Sequence, residues 1–323
     1  MGDSMASRSQ VWRRMPPAVF PAIFGFLGLG LAWRRAEAAY QLPVPIGEML
    51  LGAGIAILAV AVLACLAKLL LRAGTLREDL RTLPGRAGMA AMTLSLMLAA
   101  VALAPYAPAA ATALVVAALI GHAALAALVA HVIATGPEEG RVVTPVWHLV
   151  FVGFIVGAVA LIALDRLEAA RAILYATMPV AGVILAVSLW QLARGLLPPA
   201  PLRPLLAVHL APASLFATVS GMLGLEVLAA VWAALGGVML VGLLLAARWL
   251  LAAGFTPLWG ALTFPPAAYS SVLILASDGA GAPGVVAGVM LVGTTLLVVP
   301  VLALLLRGWA RGELAAKTNA ARV

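Results

Sequence analysis

The chain has 323 residues, 64% of them hydrophobic and only 10% charged, with a mean hydropathy of +1.12, a balance that a water-soluble globular surface does not reach. A formal net charge of +8 would suit a nucleic-acid partner in a soluble protein. No RNP, finger or basic-helix pattern accompanies it, and basic residues flanking apolar spans account for it, so nucleic acid is excluded and membrane lipid is expected as a partner. Aromatics at 6% and an excess of Ala, Leu, Val and Gly favour packed helices over an outer-membrane barrel.

A bilayer core about 30 Å thick takes about 20 apolar residues per helix. Taken in chain order, apolar runs punctuated by charge, Pro and Gly predict ten membrane helices near 17–33, 46–70, 87–104, 109–134, 144–164, 172–194, 205–224, 227–247, 255–277 and 283–306. They form one transmembrane domain over 1–323, with a short N-terminal arm (1–15) and a C-terminal tail (307–323), both expected in the cytoplasm. Two boundaries rest on length alone: Pro105-Tyr106-Ala107-Pro108 and Gly224-Leu225-Glu226 each sit inside an apolar stretch too long for one span, so a tight turn is expected at both. The stretch after Val11-Trp12-Arg13-Arg14 mimics a secretion signal, with Ala36-Glu37-Ala38 as a loose cleavage site. Arg34 and Arg35 interrupt it and its apolar run is span-length, so it reads as a retained first helix.

With ten spans both termini share a side, and 16 of the 20 Lys and Arg fall on that side. The positive-inside rule then places the termini in the cytoplasm of a plasma membrane, the inner membrane of a bacterium.

Prolines concentrate in the odd-numbered helices: Pro21 in one, Pro145 at the start of five, Pro212 in seven, and Pro257, Pro265 and Pro266 in nine. Pro179 and Pro300, in helices six and ten, are the exceptions. Hydroxyls lean the same way, with Thr93 and Ser95 in helix three, Ser214, Thr218 and Ser220 in seven, and Thr263, Ser270 and Ser271 in nine. Kinked, hydroxyl-bearing helices are expected to line a cavity, because lipid cannot satisfy the backbone groups that proline frees. Phe264 and Ser271, seven apart, fall near one face of helix nine.

Several absences narrow the chemistry. No Lys, Arg, Asp or Glu sits mid-span, which argues against a cation channel or pump. His122 is the one titratable side chain deep in a span, either a proton-coupling group or a neutral histidine hydrogen-bonded between helices. His131, His148 and His209 lie near span ends without metal-ligand spacing, and Cys65 has no partner for a disulfide. There is no phosphate-binding G-x-x-x-x-G-K-[ST], no G-x-S-x-G, no H-E-x-x-H and no Asp-rich cluster, so no enzyme, cofactor or metal is expected. Gly25, Gly28 and Gly30 on an apolar helix suit close packing.

Three segments, residues 17–33 (PAVFPAIFGFLGLGLAW), 202–214 (LRPLLAVHLAPAS) and 257–269 (PLWGALTFPPAAY), together resemble the tellurite-resistance and C4-dicarboxylate transporter family, which includes the TehA proteins and the slow-type anion channels of plant guard cells. The resemblance implies an all-α membrane protein of ten helices arranged as five hairpins. The odd helices ring a central pore, the even ones form an outer ring, and three protomers make a homotrimer with a pore in each. It also implies that an aromatic of helix nine occludes the pore, here Phe264 in Thr263-Phe264-Pro265, and that small inorganic or organic anions pass. The family more usually has an apolar or small residue where this chain has Pro266. The short termini carry no expectation of phosphorylation-based control. A ten-helix exporter of the drug and metabolite type, built from two inverted halves, is the competing architecture, distinguishable by a two-half cleft in place of five hairpins about one axis.

Overall fold

The computed structural model describes residues 15–321; most of the N-terminal arm lies outside them. Among the described residues, nine helices are long and apolar enough to cross a membrane, and a tenth apolar helix is shorter. In chain order they are α1 (Pro17–Tyr40), α2 (Ile46–Leu71), α3 (Leu83–Leu103), α4 (Pro108–Thr135), α5 (His148–Ala163), α6 (Leu167–Ala193), α7 (Ala200–Met222), α8 (Glu226–Leu245), α9 (Pro257–Ser277) and α10 (Gly281–Ala310). Both uncertain turns occur as expected. Leu223–Leu225 reverses the chain between α7 and α8, with Gly224 in the left-handed region at φ +72° that glycine adopts without strain.

Consecutive spans pack as hairpins, α1 with α2 through to α9 with α10. The odd spans also pack on one another in a closed cycle: α1 against α3, α3 against α5, α5 against α7, α7 against α9, and α9 back against α1. Each even span fills the groove between its hairpin partner and the next odd span, α10 closing the circuit against α1. The two rings differ sharply in burial. In α1, α3, α7 and α9, 61–83% of the most apolar stretch is buried, against 6–33% in the even spans. Large apolar side chains such as Leu70, Val183, Leu245 and Leu296 point outward from the even spans, as contact with hydrocarbon allows.

The inner spans are also the irregular ones. The first halves of α7 (Ala200–His209) and α9 (Pro257–Leu262) wind as 3-10 helix, and the first turn of α5 (His148–Val152) winds as π-helix. Their prolines sit at or near the starts of helical segments, where a missing N–H costs little: Pro21 and Pro265 are in first turns, Pro145 precedes α5, and Pro212 follows the 3-10 half of α7. Prolines inside a helical segment are Pro179 of α6, Pro300 of α10 and Pro204 in the 3-10 half of α7. The expected irregularity of the odd spans is thus present as a change of winding that proline starts.

Two span ends depart from expectation. α1 runs on past Trp33 to Tyr40, carrying both arginines inside the helix, because Arg34 meets Glu48 of α2 through Nε (2.6 Å) and Nη2 (2.9 Å) and the Gly47 amide donates to Glu37 Oε1 at 2.5 Å. The C-terminal tail is folded onto the body. After α10 ends at Ala310, the short helix Glu313–Lys317 buries Leu314 and Ala315, and the Ala321 amide donates to Asp79 Oδ1 at 2.8 Å.

Asp79 lies on the short helix Gly74–Arg81 between α2 and α3, and its Oδ2 accepts from Lys68 Nζ at 2.7 Å, which also donates to Met15 O at 3.0 Å. Burial pushes the Asp79 carboxyl above its ordinary value, opposed by the bonds from Lys68 and Ala321. Both side chains are almost fully buried, so removing one strands the other, a loss of about 3–5 kcal/mol. Lys68→Met should therefore lower the melting temperature of the detergent-purified protein markedly, while Lys68→Met combined with Asp79→Leu should recover a large part of it. A single variant as stable as the parent would show that the pair does not hold the tail.

Candidate functional site at the ring axis

The site is built where α9 crosses α1. Phe24, Gly25 and Gly28 share one stretch of α1, and Thr263 and Phe264 stand at the junction of the 3-10 and α-helical halves of α9. The Thr263 hydroxyl is shared between the carbonyls of Gly260 (2.7 Å) and Pro21 (3.1 Å), which ties the junction to α1. Glycine lets the helices touch: a Cβ at Gly25 would lie 2.0 Å from Thr263 Oγ1 and 2.8 Å from the Phe264 amide nitrogen, and one at Gly28 would lie 2.8 Å from the Phe264 ring. The Phe264 ring occupies the slot so formed. It stacks on Phe24 with centroids 3.7 Å apart and planes at 20°, both rings buried, a pairing worth about 0.5–1.5 kcal/mol beyond the apolar area it hides.

Two small voids mark the axis, and every odd span contributes to each. One is walled by Phe24, Leu94, Val152, Pro212 and Phe264, with His148 in its wall. The other, nearer the termini, is walled by Pro21, Ala87, Leu149, Leu205 and Ala261. Each holds about 20 Å³, room for about one water molecule and not for a hydrated ion. Still nearer the termini, Ala87, Val146 and Leu205 form an apolar cluster against which Leu83 and Leu202 pack. Those two leucines also line a far larger cavity, about 1000 Å³, which Arg77, Arg81 and Arg86 border and which includes Pro145. At the opposite end of the ring, Arg35 of α1 reaches Met222 Sδ of α7 at 3.7 Å. Since α1 and α7 are not neighbours in the cycle, its guanidinium lies across the end of the ring. Among the described residues no carboxylate lies within ion-pair distance of it.

The expected site residues divide accordingly. Phe264 and Pro212 wall one void and Pro21 the other, while Pro145 borders the large cavity. Thr263 is spent on the α1–α9 tie, and Pro265 is buried in the first turn after Phe264. Ser271 is buried on α9 outside both voids, so the alignment with Phe264 does not bring a hydroxyl to either. Hydroxyls in general bond back to their own helices, as Ser95 does to Ala91 O (2.7 Å) and Ser214 to Leu210 O (2.8 Å), the usual recourse where lipid offers no partner. Neither void has a hydroxyl in its wall. His122 sits behind the ring on α4, its Nδ1 2.7 Å from Thr93 Oγ1 and its ring edge-on to Phe154.

Three features were not read from the sequence: the Phe24 partner of Phe264, the Arg35 guanidinium across the ring, and a contact of 2.9 Å between His148 Nε2 and His209 Nδ1. Phe24 and Gly28, four apart in α1, offered a signal of a shared face; the histidine contact joins residues 61 apart with no spacing to announce it.

The family model for voltage-dependent anion channels, SLAC1, matches residues 14–308. The chain belongs to this family. Membership makes it an anion channel or transporter integral to a membrane, in keeping with its apolar helices. No curated protein matches the chain.

The slot makes a stability prediction for this SLAC1-family protein. Gly25→Ala must displace backbone, whereas Gly28→Ala meets only the edge of a movable ring. Gly25→Ala should cost more in thermal unfolding, about 1–3 kcal/mol for overpacking, and equal costs would refute the slot geometry.

Proposed function

We propose that this protein conducts small inorganic or organic anions along the axis enclosed by α1, α3, α5, α7 and α9, and that Phe264 stacked on Phe24 is its closed gate. The observation that carries the reading is the void whose wall takes residues from all five inner spans and which the two stacked rings bound. Benzyl rings offer an ion nothing to replace its hydration, so the stack is a barrier to ions while it stands. The electrostatics favour anions. Arginines border the cavity on the side of the termini, Arg35 lies across the other end, and no carboxylate walls either void; positive charge at the mouths raises the local anion concentration.

The distribution of Lys and Arg supports an inner-membrane setting with cytoplasmic termini, which makes the arginine-bordered cavity a cytoplasmic vestibule. The family resemblance supports a homotrimer and a substrate range that includes C4-dicarboxylates and tellurite-related anions. A drug and metabolite exporter is less well supported, because the odd spans close one five-membered cycle where such an exporter would present two halves flanking a cleft.

The test is anion flux into proteoliposomes with chloride, nitrate, malate and tellurite. Phe264→Ala should raise flux about tenfold or more, equivalent to about 1.4 kcal/mol off the barrier, and Phe24→Ala should do so to a smaller degree. Their combination should add less than the sum, since one stack is removed twice. Because burying less aromatic surface costs about 3–5 kcal/mol, the variants must be shown folded by size exclusion. Folded Phe264→Ala protein with parental flux would refute the gate.

A further inference from the structure

We propose that His148 and His209 form a proton-binding site in the wall of the conduit, which takes up one proton together with one small anion. The inference rests on the conduit reading above. His148 stands on the irregular first turn of α5 and His209 at the junction where α7 changes from 3-10 to α-helix. Their rings meet nearly perpendicular, His148 Nε2 lies 2.9 Å from His209 Nδ1, and His148 walls the void that Phe264 bounds. The remaining nitrogens, His148 Nδ1 and His209 Nε2, are buried without a hydrogen-bond partner.

Proton counting follows from the contact. Two neutral imidazoles carry two N–H protons. One is shared across the 2.9 Å contact, and the ring that accepts it carries the second on its outer nitrogen. The donating ring is left with a bare lone pair on its own outer nitrogen. One added proton fills that lone pair, so the pair becomes a cation with an N–H at each end, and no other bond is made or broken. A buried imidazolium with no counter-ion is strongly disfavoured, so the pair stays neutral while the void is empty. An anion in the void supplies the missing charge and an acceptor for the N–H. Proton and anion then each raise the affinity for the other.

The surroundings leave that role to the pair alone. Arg86 of α3 is committed to the carbonyls of Leu80 and Gly140, and Arg203 of α7 to those of Pro198 and Trp249. Tyr269 of α9 donates to Ala233 O, and His122 of α4 meets Thr93 through Nδ1 and, though its Nε2 is also buried without a partner, walls neither void. Glu168, Arg171 and Tyr175 stand at the far end of α6, and His131 and Arg248 are exposed. Among the described residues no carboxylate lies within ion-pair distance of either imidazole.

The experiment uses the full chain with Phe264→Ala, so that the rings do not limit flux, in liposomes holding a luminal pH dye and driven by a chloride gradient. Chloride flux should rise about tenfold between about pH 8 and pH 5.5, the interval in which a histidine site loads, and inward chloride should carry protons with it. His148→Gln and His209→Gln should each conduct at the alkaline rate at both pH values, and His122→Gln should keep the acid response. An acid response that survives in both Gln variants, or is absent with the pair intact, would overturn the proposal while leaving the conduit standing. Absence of chloride flux at every pH would overturn the conduit and this site with it. If the Gln variants fail to fold, the Phe264→Ala protein with both histidines intact, in weakly buffered nanodiscs, decides the matter. Added chloride should draw about one proton per chain from solution, and no uptake would overturn the proposal.

Discussion

Hydrocarbon supplies no hydrogen-bond partner, and this constraint governs where the chain can depart from regular helix. Departures free backbone groups, which are tolerated at membrane depth only where protein buries them or a water-filled cavity meets them. Among the described residues the four spans with 3-10 or π winding, α1, α5, α7 and α9, all belong to the inner ring. The even spans surround it and meet the outside with large apolar side chains. The Thr263 hydroxyl shows the arrangement at its smallest scale: it engages one carbonyl of its own 3-10 turn and one of α1, satisfying the backbone while locking the junction that carries Phe264. Glycine at 25 and 28 removes the side chains that would otherwise hold α1 and α9 apart.

From that junction the functional features follow. A benzyl ring seated in the slot meets its stacking partner and walls the axial void, so the proposed gate depends on how α1 and α9 dock. The axial voids are apolar and hold little more than a water molecule, while arginines stand at both ends of the ring. On the proposed reading, such a channel draws anions to its mouths and resists them in the middle, and a proton bound midway with the anion lowers that resistance.

Much of this was legible in the sequence, for identifiable reasons. Ten spans follow from apolar run length against bilayer thickness, and the concealed turn at Gly224 follows because no span can be forty residues long. The uneven prolines pointed to the odd spans, and Gly25, Gly28 and Gly30 to close packing of α1. Phe264 was assigned through resemblance, since no periodicity distinguishes one phenylalanine from another. Other features resisted for physical reasons. Hydroxyls in the odd spans suggested a polar lining, yet a serine or threonine in an apolar helix satisfies itself on its own i−3 or i−4 carbonyl, as Ser95 and Ser214 do. Arg34 and Arg35 marked the end of the first span by charge alone; the ion pair to Glu48 that keeps them helical depends on α2 folding back. His148 and His209 looked like span-end residues because nothing local reveals that α5 and α7 are ring neighbours.

The central claim is that the stacked rings of Phe24 and Phe264 separate an aqueous approach from the void beside them. Leu215 walls that void, and the one native cysteine, Cys65, is buried and can be replaced by alanine. The direct measurement is the rate at which a membrane-impermeant thiol reagent labels Leu215→Cys, with Phe264 present and with Phe264→Ala. The account predicts protection with the ring in place and rapid labelling once it is removed. Equal labelling in the two proteins, fast or slow, would contradict it.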